Sequence, residues 1–217
     1  MNRTHLQDRV ARGLGQAAQR IGDPYDVFRP KSAFSPLSPD NRILRLPVAI
    51  HGEDKDWHRG ARYGQPLWFA VLDTGYTQPG DYLTGPDGIF FIASQPALLP
   101  TVCVQTNSTI TLSRAEGANT IGVNAYGGVE MPNQGPVLVD WPASMLVEAS
   151  GSRNAGALPG EPGPASWTIL LPALPAAEMT DLRADDLVRD ATGLTAVITA
   201  VERSPLGWRL TAVQAVT

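Results

Sequence analysis

The densest cluster of chemically capable side chains is His51-Gly-Glu-Asp-Lys-Asp-Trp-His58, with two imidazoles and three carboxylates. Groups of this kind can ligate a divalent metal or exchange protons with a substrate. Ligation requires several of them to converge. Neither the H-E-x-x-H spacing nor an equivalent is present, so the stretch reads as a solvated loop and no metal is expected. A Ser-His-acid triad can assemble from distant positions, but there is no G-x-S-x-G elbow, and the only histidines are His5, His51 and His58. A hydrolase would have to build its site on loops around His51, His58 and Asp73. A ligand-binding module would use Trp57 and Trp68, although the five tryptophans read better as core or interface anchors.

Gly13-Leu-Gly-Gln-Ala-Ala18 matches the letters of the dinucleotide fingerprint. That fingerprint works where a strand delivers the glycine turn and a helix N-terminus faces the pyrophosphate. Here the glycines lie inside a helical pattern with no strand before them, so no cofactor is expected. The single cysteine, Cys103, excludes an internal disulfide and a multi-cysteine metal site, and its alternating surroundings read as a strand that buries it. Asn107-Ser-Thr109 reads as a turn. No residue is assigned a catalytic role, and the chain is read as a non-enzyme.

The elements that would position these groups are mostly strands. The 217 residues carry 21 glycines and 19 prolines, and only 18% are charged, a composition that favours short strands and many turns. The net charge of −4 comes without a dense basic block, which argues against direct sequence-specific nucleic-acid binding. No apolar run reaches the roughly 20 residues of a membrane span. The N-terminus lacks the apolar core of a signal peptide, so the chain is expected to be made and used in the cytoplasm.

Leu6, Val10, Leu14 and Ile21 recur at helical spacing, with Thr4 and Gln7 spaced as a capping box. Gly13 and Gly15 would each weaken this helix by about 1 kcal/mol, so it needs a surface to pack on. Pro24, Pro30, Pro36 and Pro39 then predict an irregular arm with Tyr25, Phe28 and Phe34 as aromatic anchors. Residues 41–150 alternate short strands with turn signals, at 43–50, 67–72, 89–92, 102–104, 110–112, 121–123 and 137–140. A Gly/Pro-rich linker covers 151–166. In 167–217, the connection Ser204-Pro-Leu-Gly207 closes a hairpin whose second strand puts Trp208, Leu210 and Ala212 on one face. The expected fold is mainly β: an N-terminal helix and arm over 1–40, a central all-β domain, and a C-terminal barrel-like unit. No internal repeat is visible.

Residues 179–210, with Asp185-Asp186 before Leu187-Val188, a glycine turn at Gly193 and a strand ending at Val201-Glu202, resemble the small barrel of tailed-bacteriophage head-to-tail connector and head-completion proteins. The run from Val10 to Pro30 also resembles the start of prophage virion proteins. The resemblance implies a virion structural protein, made in the host bacterial cytoplasm. Its partners would be other copies of itself and other virion proteins. In that setting Leu6, Val10, Leu14, Tyr25, Phe28 and Phe34 are the candidate assembly contacts.

Overall fold

A computed structural model describes residues 3–52, 64–115, 134–147, 165–174 and 181–215. The fold is mainly β; among the described residues there is one α-helix, α1 (Arg3–Ile21), at the N-terminal end, and a short 3-10 turn at Pro39–Asn41. Twelve strands follow among the described residues, and they close into two barrels of six. The first barrel contains β1 (Asp23–Phe28), β2 (Arg42–Gly52), β3 (Leu67–Val71), β4 (Tyr82–Gly85), β5 (Gly88–Ser94) and β6 (Thr101–Gln105). The second contains β7 (Ser108–Ala115), β8 (Gln134–Val147), β9 (Ser166–Leu171), β10 (Leu187–Asp190), β11 (Thr195–Ser204) and β12 (Gly207–Gln214).

The strand orders, β1-β2-β3-β6-β5-β4 and β7-β8-β9-β12-β11-β10, are the same topology run twice. The correspondence extends to register. Tyr82, Phe91 and Val104 form a row of cross-strand partners in the first barrel, and Leu187, Val197 and Val213 form it in the second. Each barrel has a bulge one residue after an isoleucine, at Ile92 and at Ile198. Trp68 faces Cys103 as Trp167 faces Ala212. The chain is therefore a tandem pair, which corrects the expectation of no internal repeat. Burial pattern and register are retained while most residue identities are not, and inspection of the letters cannot see that.

Two further expectations are corrected. The segment after α1 is not an irregular arm at its start, because β1 is a full member of the first barrel. Pro24 lies directly opposite Pro47. Since neither has an N–H to give, a pairing of this kind suits a site where the ladder makes no hydrogen bond. The barrels also divide the chain between β6 and β7, whereas the sequence suggested 41–150 and 167–217. The 151–166 linker falls within the second barrel, between β8 and β9, and residues 148–164 lie outside the described residues, as does the expected strand at 121–123.

Both interiors are filled by side chains. Tyr25, Val27, Leu46, Leu72, Phe90, Ile92 and Cys103 pack the first. Ile110, Leu112, Trp141, Ile169, Val188, Ile198 and Leu210 pack the second. Trp208, Leu210 and Ala212 are buried together, as their shared parity requires. The second core continues without a break into Tyr82, Phe91, Ala93 and Val104 on the outside of the first barrel, so it spans the contact between the barrels, while the interior of the first barrel is a separate cluster. The Tyr82 ring meets both Phe91 and Trp141 edge-on, and its hydroxyl donates to the Pro142 carbonyl at 2.8 Å.

Candidate assembly surface

The two best-formed polar sites are one device built twice. In the register of β1 with β4, continued by one residue beyond Phe28 and Tyr82, Arg29 falls opposite Asp81. The register of β7 with β10 puts Arg114 opposite Asp186 in the same way. Arg29 donates through Nε and Nη2 to the two Asp81 oxygens at 2.8 and 2.7 Å, and Arg114 does so to Asp186 at 2.6 and 2.8 Å. Each aspartate also accepts the backbone N–H three residues upstream, from Gln78 and Arg183, both at 2.9 Å. Each arginine Nη2 spans to a carbonyl farther back, Tyr76 at 3.3 Å and Asp181 at 2.8 Å. Both aspartate side chains are 1% exposed, and the hydrogen-bonded carboxylate holds each guanidinium above its ordinary pKa. Every acceptor of the device is met by a fixed donor, so it pins the turn before β4 or β10 and offers nothing to a substrate. Sequence reading noted Asp186 only as an acidic residue before a strand and missed Arg29, Asp81 and Arg114. The available signal was an acidic residue just before a strand, at Asp81-Tyr82-Leu83 and again at Asp186-Leu187-Val188.

Among the described residues, the groups proposed for chemistry are not gathered. His51, at the end of β2, stacks on Phe69 with ring centroids 5.8 Å apart. Asp73 lies four residues beyond Phe69, roughly 13 Å along the strand direction, and accepts the Gly75 N–H at 3.0 Å. Trp57 and His58 lie outside the described residues. Trp68 packs against the first core, edge-on to Phe90. Cys103 is buried, and desolvation pushes its thiol up to about 12, which makes it a packing residue. Among the described residues no three His, Cys, Asp or Glu side chains are grouped to hold a metal. No described helix is long and apolar enough to cross a membrane.

The candidate assembly contacts divide. Tyr25 is fully buried in the first barrel, its ring laid on Gly85 and its hydroxyl donating to Asp87 at 2.8 Å. It is a core residue, which corrects its assignment as a contact; as part of a regular strand its side chain points into the barrel. Phe28 is half-buried against the second core. Phe34 is 52% exposed and forms a bridge with Val139, while the flanking Ala33 carbonyl accepts the Trp141 indole N–H at 2.7 Å. Leu6 is 39% exposed. Val10 and Leu14 line a groove of about 250 Å³ between α1 and the β5–β6 connection, where the exposed Leu98 and Leu99 form the opposite wall.

Compared with known proteins, the chain matches no family model, no curated sequence and no solved structure.

Proposed function

We propose that the protein is a non-enzymatic structural subunit of a tailed-phage particle, present in multiple copies at the head–tail junction, neck or tail. The observation that carries this reading is where the apolar and polar groups are used. Both barrel interiors are filled with packed side chains, and the strongest polar groups, the two Arg–Asp pairs, are consumed in fixing backbone. Apolar side chains remain on the outside, along α1, at Leu98 and Leu99, and at Phe34. Surfaces of this kind suit protein contacts. The resemblance of residues 179–210 to connector barrels supplies the particle.

Cryo-electron microscopy of the particle encoded beside this gene tests the proposal. Density for two tandem six-stranded barrels in symmetric copies is the expected result. A complete reconstruction and a particle proteome that both lack the chain would overturn it, and would return attention to the loop holding His51 and His58.

A further inference from the structure

The tandem architecture shows what a barrel of this type accepts on its β2/β3 side, because the second barrel carries that contact within the chain. There, β6 of the first barrel packs on β8, and the Tyr82 hydroxyl donates to the Pro142 carbonyl at 2.8 Å. At Gly80 an added Cβ would stand 2.8 Å from the Ala173 carbonyl. So β8 and the end of β9 are covered by the first barrel.

On the first barrel the corresponding positions are taken by α1. The helix packs on β2 and β3, and Val48, which pairs with the first residue of β1 as Ala143 pairs with the first residue of β7, lies against Gly22 at the junction of α1 and β1, where a Cβ would be 2.7 Å from its carbonyl carbon. Asp73, which matches Pro172 once Trp68 and Trp167 are superposed in register, lies against Gly15 at 2.9 Å from the position of a Cβ. The helix occupies, on the first barrel, the seat that the first barrel occupies on the second.

The complementary face is also present, and no described element of the chain covers it as the first barrel's row is covered. The Tyr82, Phe91 and Val104 row that docks the first barrel is buried, whereas its counterpart row, Leu187, Val197 and Val213, is only half-buried. The hold of α1 is slight. Among its described residues only Gly15 and Ala18 are buried, Ile21 is 71% exposed, and two interior glycines tax the helix by about 1 kcal/mol each.

We propose that α1 is a stopper, and that the seat it covers receives the Leu187–Val197–Val213 face of a second copy, head to tail. This contact is heterologous, so it propagates to a ring or a filament according to the rotation between copies. The inference rests on the assembly reading above and specifies its interface.

The test uses the full chain. Ala18→Asp places a carboxylate where the side chain is fully buried and so lifts α1 from the seat. Gly15→Val does the same by crowding Asp73. Sedimentation velocity across a concentration series is the readout, with near-ultraviolet circular dichroism confirming that the barrels remain folded. Both variants should self-associate at least about tenfold more tightly than the parent. Adding Val197→Arg should return them to the parent's behaviour. Folded variants that sediment as the parent does, or oligomers that persist with Val197→Arg, would overturn the stopper. A chain found in particles whose variants do not self-associate defeats this inference alone. A chain missing from particles defeats the assembly reading.

Discussion

Replacing Asp186 with Asn leaves shape nearly unchanged and removes a charge that three donors address. The carboxylate is 1% exposed and accepts from Arg114 Nε, Arg114 Nη2 and the Arg183 N–H. An asparagine offers one oxygen and turns its NH₂ toward one of those donors. At least one charge-assisted bond, worth about 1.5–3 kcal/mol, is lost, and a donor is left facing a donor. Breaking a fully buried pair costs about 3–5 kcal/mol. Arg114 retains 25% exposure, so water recovers part of that cost. The expected loss is about 3 kcal/mol, which for a chain of this size lowers Tm by roughly 6–12 °C. Urea unfolding measures it as a shift of midpoint at constant m-value. Because the device is duplicated, Asp81→Asn should cost the same within about 1 kcal/mol, slightly less because Arg29 is 34% exposed. The continuous apolar contact that Tyr82, Phe91 and Val104 make with the second core should make either variant lose both barrels in one transition. A loss below about 0.5 kcal/mol at Asp186 would show that the pair is no more than a surface ion pair. Well-separated transitions would refute coupling of the two barrels through that apolar contact.

The turn before β4 has Gly80 at φ 98°, and its counterpart before β10 has Asp185 at φ 70°. Asp185→Gly should therefore stabilise by up to about 1 kcal/mol through relief of left-handed strain, whereas Gly80→Ala should destabilise through both strain and the Ala173 carbonyl, as scored by thermal unfolding. Alkaline pH should weaken the fold. Burial raises the pKa of Cys103 to about 12 and also raises those of Tyr82 and Tyr25, the latter with help from its bond to Asp87. The unfolded chain then releases protons first, so stability is complete at neutral pH and falls as pH rises from about 9. By about pH 10.5 the thiol alone should remove roughly 2 kcal/mol, and Cys103→Ala should flatten the profile by that amount in urea midpoints.

What could be read from the chain was what neighbouring residues decide among themselves. Helical spacing located α1, and Ser204-Pro-Leu-Gly207 specified its hairpin, with Ser204 paired to Gly207. Alternation located β2, β3, β5, β6, β7 and β8 and buried Cys103. These features follow from side-chain period and turn chemistry over about ten residues, so no distant partner is needed. Tertiary structure decided which strands close with which. Strands β7 and β8 join β9–β12 because the barrel must bury Ile110, Leu112 and Trp141 against Ile169 and Leu210, a demand no local pattern expresses. It drew Tyr25 inward despite the flanking prolines. It paired Arg29 with Asp81 and Arg114 with Asp186 across 52 and 72 residues. It also preserved a duplication in register and interior burial, where Cys103 can stand for Ala212, because packing selects volume and polarity at a position and leaves the particular residue free to change.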